Sequence, residues 1–184
     1  MRYRKIDSRF WNDEKVRTLT DDGKLAFLFI LTHPHMTALG AMRSTLGGLA
    51  AEIGWTPRRF ERALRPAIEQ RMVEVNERVS YVGLPNFMRY NQPENPNVAK
   101  AWVTALDLIP ECEERVALIA RARASLAGPF REGFEEAFRK AFGEAFAEGV
   151  AKGMPIPEQE QEQEPEQEQE QEQEQEQEQE QEQE

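Results

Sequence analysis

The sequence is poor in the residues that build disulfides and metal sites. Cys112 is the only cysteine among 184 residues, and His33 and His35 are the only two histidines. A single cysteine cannot form an internal disulfide, which fits a reducing compartment. The two histidines flank a proline and lie far along the chain from the cysteine, which is a poor arrangement for metal ligands. We therefore expect no metal site and no other cofactor.

Long apolar runs and catalytic motifs are missing as well. No apolar run approaches the ~20 residues that span a bilayer, and the basic N-terminus lacks the apolar segment of a signal peptide. There is no G-x-x-x-x-G-K-[ST] phosphate-binding loop, and the carboxylates show no pairing pattern typical of acid–base catalysis. These absences favour a soluble, cytoplasmic binding protein that contacts no membrane and is not an enzyme.

The C-terminal tract lacks basic, aliphatic and aromatic residues altogether. From Glu158 to Glu184 the chain alternates Glu and Gln, with one interruption at Pro165, and holds 14 of the 34 acidic residues. Removing those 14 leaves 20 acids against 23 bases, so the rest of the chain is slightly basic although the net charge of the whole is −11. The tract cannot offset the entropy of ordering, about 1–2 kcal/mol per residue for the backbone. It is either a solvated tail or a functional element that contacts a partner or competes for the basic surface of the chain.

The middle of the chain has the pattern of two helices joined by a tight turn. A brief strand is predicted at residues 40–43, after which Ser44 or Thr45 caps a first helix. Gly54 ends this helix, because glycine adopts the left-handed conformation at little cost. Thr56 caps a second helix, with a proline at its first position. An earlier, nearly all-apolar helix, capped by a threonine, is expected to be the central buried one.

The segment MVEVNERVSYV follows the two helices and alternates apolar with polar residues. Its valines lie on both sides of a short turn predicted at residues 76–78, and this pattern is typical of a β-hairpin. A winged helix-turn-helix domain has the same order of elements: helix, brief strand, helix, turn, helix and hairpin. The hairpin is the wing.

The second helix of the pair has one strongly basic face. Phe60 and Leu64 mark its core side on a helical wheel, and three arginines point the opposite way. The second helix of a helix-turn-helix enters the major groove, where the arginine fork pairs with guanine or phosphate oxygens. We predict that the DNA-contacting residues are Arg43, Ser44, Thr56, Arg58, Arg59, Arg62, Arg65 and Arg78. The alternative is an exposed basic face neutralised by Glu61 and Glu69.

Pro66 lies inside this helix and conflicts with a regular geometry. It removes the hydrogen bond to the Arg62 carbonyl, at a cost of about 3 kcal/mol in an interior site. We expect a kink there, or a helix that ends near Arg65 and restarts.

Aromatic residues recur at every fourth position near the C-terminus. A strict period of four exceeds the 3.6 residues of a helical turn, so the stripe drifts by about 40° per step. The segment is either a low-complexity amphipathic helix or a docking helix for a partner or for a second copy. A membrane-surface helix fits less well, since the polar face mixes glutamates with few bases. We predict that the partner-binding residues are Phe130, Phe134, Phe138, Phe142 and Phe146.

Together these patterns predict a mainly α-helical protein with a small β-hairpin. A winged helix-turn-helix domain is followed by extra helices and a disordered acidic tail. The predicted divisions are a winged helix-turn-helix domain at residues 1–93, a helical extension at 94–128, a Phe-repeat amphipathic helix at 129–154 and a disordered Glu/Gln tail at 155–184.

Two stretches on either side of the helix-turn-helix carry a resemblance to a known family. KIDSRFWNDEKVRTLTDDGKLAFLFILTHPH and FMRYNQPENPN resemble the N-terminal module of phage replication proteins of the replisome-organiser or replication-initiator type, over roughly residues 3–109. The resemblance implies a winged helix that binds double-stranded origin DNA in the cytoplasm of a bacterial host. It also implies a C-terminal part that recruits the replicative helicase or its loader, but no such domain is recognised after residue 110.

Two other functions remain open from the sequence. The chain is compatible with a winged-helix transcription regulator. It is also compatible with an adaptor that does not bind DNA, whose winged helix and Phe-repeat helix bind proteins or a second copy of the chain.

Overall fold

A computed structural model describes residues 4–143 of the chain. The protein is mainly helical, with one small three-stranded antiparallel sheet. The helices are α1 (Glu14–Thr18), α2 (Asp21–Thr32), α3 (Leu46–Glu52), α4 (Pro57–Glu69), α5 (Phe87–Tyr90), α6 (Pro96–Thr104), α7 (Glu113–Ser125) and α8 (Gly128–Phe142). The strands are β1 (Ala41–Arg43), β2 (Glu74–Asn76) and β3 (Tyr81–Gly83), and short 3-10 turns lie at Ser8–Asn12 and Ala105–Leu108. Phe146 and the tail predicted at 155–184 lie outside the described residues.

Three threonines set the starts of the principal helices. The side-chain oxygens of Thr20, Thr45 and Thr56 accept hydrogen bonds from backbone N–H groups three residues ahead, at 3.1, 3.1 and 3.3 Å. Each bond satisfies one of the four N–H groups that a helix start leaves without an intrahelical partner. The caps predicted for α2, α3 and α4 are therefore confirmed, and Gly54 has the predicted positive φ, +76°.

Helix α4 runs from Pro57 to Glu69 without a break. Of the two alternatives expected at Pro66, a helix that ends near Arg65 and restarts is therefore wrong, and a kink stays a prediction. Pro66 does leave the carbonyl of Arg62 without its intrahelical bond. However, Arg62 lies on the exposed side of the helix, where water can satisfy that carbonyl.

The sheet has the strand order β1-β3-β2, with β3 in the centre. Val82 pairs with Met42 on one side and with Val75 on the other. The predicted hairpin exists, but its turn lies further along the chain than expected. Asn76, assigned to the turn from sequence, is the last residue of β2 and pairs with Tyr81.

The buried residues of all these elements form one continuous core. Residues on both sides of the predicted divisions at 93 and 128 contribute to it. Trp102 on α6 is 1% exposed, and Phe134 and Phe138 on α8 are fully buried. Helices α6, α7 and α8 therefore share the core of the sheet and of α2 to α4. Among the described residues, no helix is both long enough and apolar enough to cross a membrane.

Candidate nucleic-acid interface

Helix α4 presents a basic face to solvent. Its apolar side is fixed by Phe60 and Leu64, which are both fully buried. Arg58, Arg62 and Arg65 lie on the opposite side and are exposed, as predicted. Within residues 4–143, none of these three guanidinium groups has a hydrogen bond or an ion pair. The three charges are therefore available to an external anion.

The spacing of the three arginines suits a linear ligand. They occupy positions four and three residues apart, so they share one side of the helix. With a rise of 1.5 Å per residue, they cover about 10 Å along the helix axis. A major groove about 12 Å wide admits a helix, so three guanidiniums over this length can meet bases or phosphates of one groove.

Arg59 differs from its neighbours. Its Nε and Nη2 donate to the two carboxylate oxygens of Asp22 on α2, at 3.0 and 2.8 Å. Its guanidinium also stacks over the Trp55 ring, 4.0 Å from the centroid. The hydrogen bonds from Arg59 lower the pKa of the Asp22 carboxyl group. The guanidinium of Arg59 thus joins α4 to α2 and already has an anionic partner, unlike those of Arg58, Arg62 and Arg65. Its predicted contact with DNA stays a prediction.

The turn between β2 and β3 is held against the start of α3. The Glu77 carboxylate accepts a hydrogen bond from the Leu46 N–H at 3.2 Å, and the Ser44 N–H donates to the Ser80 carbonyl at 2.7 Å. Arg78 is exposed in this turn, and its N–H donates to the Asn76 side chain at 3.2 Å. No local pattern in the sequence indicates the Glu77 contact, because its partner is 31 positions away.

Helix α7 supports the other side of the hairpin. Arg121 donates to both carboxylate oxygens of Glu74 on β2, at 2.9 and 2.8 Å. The amide of Asn76 donates to Glu114 at 3.1 Å. The hairpin is therefore fixed at its turn by α3 and along β2 by α7, and Arg78 is presented from a well-supported loop.

Arg43 and Thr56 were also predicted to contact DNA, but they do not belong to the row of exposed arginines on α4. Arg43 is exposed at the end of β1, but it lines a cleft together with His35, Ala105 and Pro110. Among the described residues that line this cleft, none comes from α4, so Arg43 is not grouped with the α4 arginines. Thr56 is exposed at the start of α4, where its hydroxyl oxygen already serves as the cap.

The Phe repeat does not form an exposed stripe. Phe134 and Phe138 are fully buried, whereas Phe130 and Phe142 are half-buried. In this conformation the two central side chains have no surface left for a partner, which differs from the predicted partner-binding stripe. Because the stripe drifts around the helix, its centre faces the core and its two ends lie at the margins. Phe146 lies outside the described residues.

Both α6 and α7 hold α8 in place. Gly133 lies against α6, where an added Cβ would be 3.2 Å from the Lys100 side chain. On the α7 side, Arg123 lies over the Phe138 ring at 4.7 Å and its Nε is 2.9 Å from the Glu135 carboxylate. The apolar stripe of α8 thus contacts two neighbouring helices, α6 and α7. A single straight helix could not contact its whole length, because the stripe drifts around α8.

The two histidines have a structural role. His33 is 3% exposed, and its Nε2 lies 2.8 Å from the Glu52 carboxylate on α3. The His35 N–H donates to His33 Nδ1 at 3.2 Å. In residues 4–143 no group of three or more His, Cys, Asp and Glu side chains could hold a metal ion. No family model, no curated protein and no solved structure matches the chain.

Proposed function

We propose that the protein is a winged helix-turn-helix protein that binds double-stranded DNA with α4 in the major groove. Support comes from the order of the elements, in which α2, β1, α3, α4 and the β2–β3 hairpin follow one another. The position of β3 between β1 and β2 also agrees with this fold, since it places the hairpin beside the helix pair.

The observation that carries the proposal is the row of unpaired arginines on α4. Arg58, Arg62 and Arg65 have no ion pair with any described residue, although Glu61 and Glu69 are exposed on the same helix. Guanidinium groups bind phosphate and guanine through paired, charge-assisted hydrogen bonds. Arg78, exposed in the supported turn, adds a contact to the DNA backbone beside the groove.

We further propose that this DNA binding serves replication initiation. The support is the sequence resemblance over roughly residues 3–109, which includes the Phe10-Trp11 pair and the YNQPENP loop. The proposed DNA target is an origin-like site, and the proposed protein partner is the replicative helicase or its loader. Footprinting on the replication region of the genome that encodes the protein tests this role; protection confined to promoters would indicate a transcription regulator instead.

The first prediction tests the α4 surface. Replacing Arg58, Arg62 and Arg65 with alanine should weaken DNA binding strongly and leave the melting temperature unchanged, because the three side chains are exposed. The slope of log K against log salt should flatten by about 0.9 for each phosphate that the variant no longer neutralises, hence by about 2.7 if all three arginines bind phosphates. Fluorescence anisotropy at several salt concentrations measures both the affinity and the slope.

The matched control removes three exposed cations from another helix. Arg131, Arg139 and Lys140 lie on α8, and their replacement with alanine changes the net charge by the same amount. This variant should bind DNA nearly as the parent does. If the α4 and α8 variants lose the same affinity, general charge and not the α4 face accounts for binding.

A further inference from the structure

A cavity with a volume of about 520 Å³ lies between the N-terminal segment and helices α2 and α5. This volume falls within the range of about 300–1,000 Å³ that is typical of small-molecule sites. Most of the wall surface of the cavity is apolar. Among the described residues that line it, none belongs to α4, so the cavity is separate from the candidate DNA surface.

Aromatic rings form a large part of the wall. Phe87 on α5 is buried, whereas Phe10 and Phe27 are half-buried and stack with their ring centroids 5.8 Å apart. Tyr90 also lines the cavity and is 43% exposed, which places its ring at the mouth. Aromatic rings pack well on other rings in offset or edge-to-face contacts. The wall therefore suits a ligand with a flat aromatic body.

Both carboxylates that line the cavity already have hydrogen-bond donors. Asp7 forms an ion pair with Arg9 at 2.7 Å. Asp13 accepts hydrogen bonds from the backbone N–H groups of Lys15 and Val16 at 2.9 and 3.3 Å, where it caps α1. These two carboxylates therefore leave the side-chain charges of the other lining cations without a partner.

Two of the lining cations have no anionic partner among the described residues. The Lys15 ammonium donates to a neutral acceptor, the backbone carbonyl of Gln70, at 2.9 Å. Arg89 is exposed and has no hydrogen bond or ion pair with any described residue, and its guanidinium lies 5.7 Å from the Tyr90 ring. A mainly apolar cavity that is bordered by two such cations is complementary to a ligand with an apolar body and one anionic group.

We propose that this cavity binds a small aromatic carboxylate. The ring system of the ligand packs against Phe10, Phe27 and Phe87, and its carboxylate pairs with Arg89. A guanidinium binds a carboxylate through two parallel hydrogen bonds, which also fixes the orientation of the ligand. Lys15 adds a second positive charge to the site. The proposal is independent of DNA binding by α4.

Titration of the full chain with naphthoate, followed by two-dimensional amide NMR, tests the site. An aromatic ligand of this size should bind with a Kd of about 1 mM or tighter. The backbone signals that shift should belong to the residues around the cavity, above all to residues 84–91. The absence of saturable binding, or shifts centred on α4, overturns the proposal.

The charge of the ligand is tested with naphthamide, which has nearly the same shape as naphthoate and no charge. The parent protein should bind naphthamide about tenfold more weakly, because the charge-assisted hydrogen bonds are lost. Arg89→Gln should lower naphthoate affinity by about the same factor and leave naphthamide affinity unchanged. The control Arg65→Gln changes an exposed arginine that does not line the cavity, and it should have no effect. Equal affinity of the parent for both ligands, or equal losses in the two variants, contradicts an anion site at Arg89.

The aromatic part of the site is tested at the mouth of the cavity. Tyr90→Ala should weaken the binding of naphthoate and naphthamide to the same degree, by about two- to tenfold. The control Trp11→Ala removes a ring that is 57% exposed and does not line the cavity, and it should leave both affinities unchanged. Equal effects of the two substitutions would show that the ligands bind elsewhere.

Decanoate distinguishes an aromatic ligand from an acyl chain. It carries the same carboxylate on a flexible aliphatic body of similar size, so it lacks ring contacts and loses more conformational freedom on binding. Naphthoate should therefore bind more tightly than decanoate. Tighter binding of decanoate overturns the assignment of an aromatic ligand.

Discussion

Gly40 and Gly54 show how strongly a single position depends on its surroundings. Both have φ in the left-handed region, +81° and +76°. A Cβ built on Gly40 would lie 2.3 Å from the Phe87 Cβ, whereas nothing lies within 4 Å of one built on Gly54. Gly40 therefore meets two requirements, backbone conformation and close approach of Phe87, and Gly54 meets only the first.

The pair of substitutions to alanine separates these two requirements. Gly54→Ala should cost about 1–2 kcal/mol of unfolding free energy, which is the penalty for a left-handed L-residue. Gly40→Ala should cost more, because Phe87 must also move out of the core. Urea unfolding of the two variants measures the difference, and equal losses would show that Phe87 adapts without cost.

The ion pair of Asp22 and Arg59 predicts a pH dependence of stability. The pKa of Asp22 is lowered in the folded protein by the hydrogen bonds from Arg59, so the unfolded state binds the proton more readily. The resulting stabilisation is present above the unfolded pKa, about 3.9, and is lost as pH falls through the folded pKa. Asp22→Asn should lower the melting temperature near pH 7, and its difference from the parent should shrink in acid below about pH 4.

A double-mutant cycle provides the control for this pair. Arg59→Ala removes the same interaction, so Asp22→Asn should have little further effect in that background. Additive losses in melting temperature would mean that the two side chains act separately and that the contact contributes nothing.

Among the secondary-structure elements, α8 differs most from expectation. The sequence predicts an amphipathic helix whose phenylalanines bind a partner or a second copy of the chain. The structure packs it mainly against α6 of the same chain, with Arg123 of α7 against Phe138 and Glu135, and Phe134 and Phe138 are fully buried. A largely buried ion pair between Arg123 and Glu135 joins α7 to α8. The Phe repeat is therefore a core element over the residues that the structure describes.

Substitutions along α8 distinguish a core helix from an exposed one. Phe138→Ala should cost about 3–5 kcal/mol of unfolding free energy, because it leaves a cavity among packed side chains. Phe130→Ala should cost less, since Phe130 is half-buried. Urea unfolding measures both values, with hydrogen exchange of the α8 amides in dilute protein as a second measurement. Fast exchange of these amides would contradict the packed arrangement.

Local signals in the sequence predicted most of the elements, and long-range contacts account for the differences. The caps at Thr45 and Thr56 involve residues three positions apart, so the local sequence is enough to predict them. The pairing of Arg59 with Asp22 spans 37 positions, and nothing local indicates it. The same limit explains the α8 result, because a helix with one apolar stripe does not specify which surface covers it.

At the scale of the whole molecule, charge is divided between two regions. The Glu/Gln tract carries 14 carboxylates and no base, and the rest of the chain is slightly basic. Opposite charges attract over about 8 Å at physiological ionic strength and over longer distances at low salt. If α4 binds DNA as proposed, we expect the tethered acidic tract to compete with DNA for the arginines of α4.

Removal of residues 158–184 tests this competition. The melting temperature should not fall, since the tract has no apolar side chain to bury. DNA affinity should rise, and the rise should be larger at low salt than at high salt. A Gly-Ser tract of equal length is the control and should behave like the deletion. If affinity at low salt does not change, the tract does not contact the basic surface.

The order of strands in the sheet also has a consequence for the folding pathway. Asn76 pairs with Tyr81 across 5 positions, whereas Arg43 pairs with the same residue across 38 positions. The loop closed by the Arg43–Tyr81 pair is nearly three doublings longer than the loop closed by the Asn76–Tyr81 pair. Its closure therefore costs about 2 kcal/mol more in entropic free energy. We therefore expect the hairpin to form early, and β1 to join it after α3 and α4, which lie inside the longer loop, have folded. The non-local step that completes the sheet is thus the step that fixes the helix pair, and we expect it to limit the folding rate.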